Sequence, residues 1–222
     1  MVLLDFNGLE EVPSISGLKY VTHDACLRCA SLGLSCCSRC RPFVLLEDLR
    51  TMSRTHSEDE VLEIVEVDVV PAMYLHHLSD PEMAQIYYRW GGKHYRLQTK
   101  FVNGSCVALV PGKGCALRES RPLICKVWPF WWRSGSNPST GDFQLEVDGD
   151  CTMVTQWNMT VDEVLRELGL SEVLVKRELL ALHEALREHC RALARARAMG
   201  IPPRQLLSWM LREAQLKRHA LT

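Results

Sequence analysis

Five cysteines within fifteen positions, Cys26, Cys29, Cys36, Cys37 and Cys40, constrain this chain more than any other feature. Cys106, Cys115 and Cys125 form a second group, with eight and nine residues between them, and Cys151 and Cys190 stand alone. Thiols this concentrated either cross-link a chain or bind metal. Hydrophobic residues make up 47% of the 222 residues, enough for a core without covalent staples. The N-terminal stretch carries Asp5, Glu10 and Glu11, no basic segment, and an apolar run of only Val2 to Leu4, which argues against a signal peptide. No stretch approaches the roughly 18 apolar residues that a membrane helix needs. The expectation is a cytoplasmic chain, where clustered cysteines point to metal or catalysis more than to disulfides.

Charge narrows the functional classes further. Residues 161–222 hold 11 Lys and Arg against 8 Asp and Glu, a net of +3, and the remainder carries a net of −4. Neither part has the basic bias of a nucleic-acid binder, so no nucleic-acid partner and no membrane partner is expected. No GxxxxGK[ST] loop and no GxGxxG is present; Pro111-Gly112-Lys113-Gly114 reads as a hairpin turn.

The pattern along the chain changes once. Pro42 to Leu46 reads as a strand, and Glu47-Asp48 as an acidic helix start. Ser57 to Glu60 reads as a polar loop, Val61 to Val70 as mostly strand, and residues 81–90 as a short helix stopped by Gly91-Gly92. His94 to Val102, Cys106 to Val110 and Phe143 to Val147 are strand candidates, with a turn at Asn103-Gly104 and a loop at 135–141. From Thr160 the pattern becomes helical. Thr160-x-x-Glu163 matches a capping box, and Ser171 opens a helix to about Met199 with an apolar stripe at Val175, Leu179, Leu182, Leu186 and Leu193. Gly200 to Pro203 ends it, and Arg204 to Leu216 forms a last amphipathic helix. The fold class expected is α+β: a compact cysteine-rich domain of short strands and helices over residues 1–158, with its core at 26–151, then a C-terminal helical hairpin over 159–222. That hairpin packs either on the cysteine domain or on a protein partner.

Two cysteines separated by two residues can reach one metal from a tight turn, and both Cys26-x2-Cys29 and Cys37-x2-Cys40 have that spacing. Adjacent Cys36 and Cys37 start in different directions, which suits two metals or a multinuclear cluster better than one ion. Arg121 is placed to add positive charge near Cys125, or else to lie at the surface. His23, His76, His77 and His94 are available as further ligands, although a lone histidine is more often a packed polar residue.

Cys26-x2-Cys29, Cys36-Cys37, Val44-Leu45-Leu46-Glu47-Asp48 and the run GSCVALVPGKGCALRESRPLICKVWPF over 104–130 together resemble the YkgJ-type cysteine-cluster family. That family is described as a zinc- or iron-chelating domain with a CxxCxxCC signature. The resemblance covers roughly residues 26–151 and implies Cys26, Cys29, Cys36, Cys37, Cys106, Cys115, Cys125 and Cys151 as metal ligands. It departs from the family in having six residues, Ala30 to Ser35, where two are usual; Cys40 could substitute for one of the first pair. The resemblance implies a cytosolic metal-binding protein holding an iron–sulfur cluster, [4Fe–4S] in the first reading, or zinc. An aromatic shell from Trp128, Phe130 and Trp131 would suit the cluster. The rival readings are an enzyme of redox or methyl-transfer type using the cluster, since the signature also occurs in flagellin lysine N-methylases, and a zinc-stabilised interaction module docking through 161–222. No catalytic residue is assigned.

Overall fold

The computed structural model of the chain describes residues 27, 29–52, 57–67, 86–133, 136, 138 and 142–219. These form a mixed helix-and-sheet fold, as α+β requires. The one regular sheet has three antiparallel strands, β1 (Leu62–Glu66), β2 (Tyr88–Trp90) and β3 (Lys93–Thr99), in the order β1-β3-β2. Register is set by Ile64 opposite Leu97 and Tyr88 opposite Tyr95. Three two-stranded ribbons follow. They are β4 (Phe101–Val102) with β5 (Ser105–Cys106), β6 (Leu109–Val110) with β7 (Gly114–Cys115), and β8 (Phe130–Trp132) with β9 (Leu145–Val147).

Four elements differ from the reading of the sequence. Cys106 to Val110 is not one strand: Ser105–Cys106 and Leu109–Val110 belong to two different ribbons, with a turn at Val107-Ala108 between them. Of residues 81–90, 81–85 lie outside the described residues; Ile86 is in 3-10 conformation, and Tyr88–Trp90 is a strand paired with Lys93–Thr99 where the pattern suggested helix. Gly91 and Gly92 have φ of 55° and 78°, so they close a tight hairpin where the pattern suggested a helix stop. Of Pro42 to Leu46 only Phe43 makes a β-bridge, to Gln98, and the chain turns helical at Leu46. Within Ser57 to Glu60, a one-turn helix α2 (Glu58–Val61) replaces the expected loop. The loop at 135–141 falls largely outside the described residues.

The helices are built as their termini dictate. Helix α1 (Leu46–Met52) carries Glu47 and Asp48 in its first turn, against the positive end of its dipole. Helix α3 (Leu123–Val127) and α4 (Thr152–Thr155) are single turns, and helices this short depend on tertiary contacts. Helix α5 (Val161–Glu167) opens with the full capping box: the Glu163 amide donates to Thr160 Oγ1 at 3.4 Å and the Thr160 amide to Glu163 Oε2 at 2.8 Å. Ser171 caps α6 (Glu172–Ala198) by accepting the Leu174 amide at 3.2 Å, and α7 (Pro203–His219) follows.

The α6–α7 hairpin lies within the chain's own core. The first half of α6 buries Leu179, Leu182 and Leu186 with Phe130, Trp131, Trp132, Leu123 and Val127. Its second half buries Ala192 and Ala196 with Leu206 and Met210 of α7 and Val44, Leu46, Leu49 and Met52 at α1. Each fully buried Leu or Phe contributes about 1.5–3 kcal/mol of transfer free energy, so these two clusters hold the hairpin to the sheet and ribbons. Cys190 lies on α6 in the first cluster. Among the described residues, no helix is long and apolar enough to cross a membrane.

A cysteine group at the seam of two cores

The nine described cysteines are all thiols. Cys36 and Cys37 sit in a 3-10 turn (Cys36–Ser38), with Ser35 at its start. That turn packs against β5, which carries Cys106. Cys106 pairs with Phe101 across the first ribbon, and its thiol donates to Thr99 Oγ1 at 3.4 Å. Cys115 lies opposite Leu109 on the second ribbon. Cys125 lies in the middle of α3. Cys37, Cys106 and Cys115 belong with the α7-side core, and Cys125 with the tryptophan-side core. The thiols therefore gather where the two clusters meet.

Their electrostatics tie them together. A charge on Cys37 raises the pKa of Cys40, Cys106, Cys115 and Cys125, so all four lie within its field. Cys37 itself is lowered. Its hydrogen bond with the Cys36 side chain is the largest cause, opposed by burial and helped by Ser35, by Arg121 and by its own amide. Burial pushes Cys115 and Cys40 up to about 11, and pushes Cys125 far higher than an ordinary thiol. The group thus holds one thiol poised to ionise among several that burial keeps neutral.

Arg121 is a buried cation at this site. Its side chain is 2% exposed, which rules out the surface position that the sequence left open. Its charge lowers the pKa of Cys37, Cys115 and Cys125. A guanidinium taken out of water needs nearby negative charge, and ionised sulfur can supply it here.

The segments around Cys36 and Cys151 also meet. Arg39 Nη2 donates to the Asp150 carbonyl at 3.0 Å and Thr152 Oγ1 donates to the Leu34 carbonyl at 2.9 Å. Cys151 is buried beside them; burial raises its pKa, with Asp148 adding to the rise and Arg39 opposing it. Cys40 faces the same acidic turn, with Asp150 and Asp148 raising its pKa. Cys29 is described and half-buried; Cys26, His23, His76 and His77 lie outside the described residues. Leu27, between Cys26 and Cys29, lies against Gly114, the neighbour of Cys115. His94 stands edge-on to Tyr87 with ring centroids 6.4 Å apart, on the sheet.

Among the described residues, no three His, Cys, Asp or Glu side chains form a group that could hold a metal ion. Cys37, Cys106, Cys115 and Cys125 share a neighbourhood without closing to that geometry. Comparisons with protein-family models, curated proteins and solved structures found no match.

Sequence reasoning missed a set of buried polar groups. Asp48, Lys126, Glu178, His183 and His189 are all buried. His189 Nδ1 accepts the Leu46 amide at 3.1 Å, which caps α1 from α6. The one available signal was the placement of Asp48 two residues after the apolar run Val44-Leu45-Leu46, where a solvated charge is out of place.

Proposed function

We propose that this chain is a thiolate-ligated metal protein of the YkgJ type, with Cys37, Cys106, Cys115 and Cys125 as the central ligand set. The observation that carries the reading is their origin. Cys106 and Cys115 from two ribbons and Cys125 from a helix all lie within the field of Cys37 on the 3-10 turn, and the buried Arg121 acts on Cys37, Cys115 and Cys125. A chain that needed only a core would fill such a seam with aliphatic side chains. Four thiolates match the tetrahedral sulfur preference of zinc and of iron–sulfur clusters. Metal-bound thiolates carry net negative charge, and Arg121 offsets it.

The remaining ligand candidates take supporting positions. Cys36 holds a hydrogen bond to Cys37, and Leu27, two residues before Cys29, packs on Gly114 beside Cys115. Cys151 stays on the structural side of the turn. An iron–sulfur cluster is the first reading because Phe130 and Trp131 are buried in the core that holds Cys125, with half-buried Trp128 packed against it. Such a shell limits solvent access and tunes potential. When bound, the cluster would supply one-electron chemistry; zinc would supply structure alone. A visible spectrum of protein purified without oxygen separates them. A broad band that dithionite bleaches supports the cluster, and a colourless protein carrying stoichiometric zinc replaces it with the structural reading.

A further inference from the structure

Helix α3 presents Cys125, yet it is only five residues long and its N-cap residue, Pro122, provides no side-chain hydrogen bond. Something else must hold its first turn, because a single turn is not stable alone. The structure assigns that role to Asp48: we propose that Asp48 is the residue that positions Cys125. Its carboxylate is 3% exposed and splits between two backbones. Oδ2 accepts the Leu45 amide at 2.8 Å, at the start of its own helix α1. Oδ1 accepts the Leu123 amide at 2.8 Å, 75 residues away, at the first residue of α3.

One buried carboxylate therefore staples the beginnings of two helices together. Burial raises the Asp48 pKa to about 7, while the two amides and the charge of Lys126, one residue past Cys125, hold it down; Lys126 in turn feels Glu178 from α6. Amide-to-carboxylate bonds are among the stronger hydrogen bonds, and a buried amide left without its acceptor costs its full desolvation. Asp48 thus anchors the first residue of the helix that carries Cys125, two positions before it. The functional meaning of this placement rests on the thiolate-centre reading; the placement itself does not.

The test uses the full chain without added metal, reduced and under argon. Iodoacetamide labelling is followed at Cys125 and Cys151 by peptide mass spectrometry. In Asp48→Asn one acceptor oxygen becomes an amide NH2, a donor that cannot accept the second backbone N–H. The expected result is Cys125 labelling about tenfold faster or more, from loss of a charged hydrogen bond, with Cys151 unchanged. A parallel rise at both cysteines marks global loosening and overturns the proposal, as does no rise at either. If the variant does not fold, amide hydrogen exchange of the wild type decides. Protection of the Leu123 amide equal to that of Leu45 supports the staple, and exchange at the rate of an exposed loop overturns it.

Discussion

Leu27 covers Gly114 so closely that a β-carbon on the glycine would lie 2.9 Å from Leu27 Cδ2 and 3.8 Å from its Cα. Gly114 also has a φ of 82°, a conformation that side chains resist. Both facts act at the residue before Cys115, and the close approach ties Leu27 to the second ribbon. Gly114→Ala is expected to lower stability by about 2 kcal/mol, combining left-handed strain with the crowding of Leu27. Chemical denaturation measures the loss, and hydrogen exchange should place the loosening at residues 27–33 and 109–115.

His189 gives the fold a specific pH dependence. As acceptor of the Leu46 amide it must be neutral, and burial lowers its pKa to about 4 from the ordinary 6.5. The unfolded chain therefore binds the extra proton first. The stability that neutral His189 provides is fully present above 6.5 and is lost as pH falls towards 4. In His189→Gln an amide oxygen can still accept, but nothing titrates. The advantage of wild type over variant should shrink by up to about 3 kcal/mol between pH 7 and pH 4. Urea titrations of both proteins at several pH values check it; a constant difference contradicts the burial of a neutral ring.

The capping box of α5 offers a control on an exposed pair outside the thiol group. Thr160→Ala removes the acceptor of the Glu163 amide, and a lost N-cap costs about 1 kcal/mol. Thermal melting should register that cost, while the metal content of the purified protein stays at the wild-type level.

What the sequence disclosed follows from the range of the interactions involved. The capping box, the Ser171 cap and the apolar stripe of α6 are local signals, and those elements stand where the pattern places them. The Asn103-Gly104 turn likewise lies between paired strands. The strand at Tyr88–Trp90 was illegible because Gly91-Gly92 ends helices and closes hairpins equally well, and only the pairing with β3 decides. Among the cysteines, spacing announced a group but not its membership. Cys125 joins Cys37 because α3 is pinned by Asp48 across 75 residues, and no local pattern encodes that bond. Arg121 was visible as a charge beside Cys125, but its burial depends on two cores closing over it.

The central claim is that Cys37, Cys106, Cys115 and Cys125 hold one metal centre, and elemental analysis of anaerobically purified variants tests it most directly. Wild type and Cys190→Ser should carry iron, or zinc, in stoichiometric amounts with the chain. Cys37→Ser and Cys125→Ser should lose most of it and melt at lower temperature, because metal held between distant segments stabilises the fold. Wild-type protein without stoichiometric metal, or Cys125→Ser protein with unchanged metal content and unchanged melting, would contradict the account.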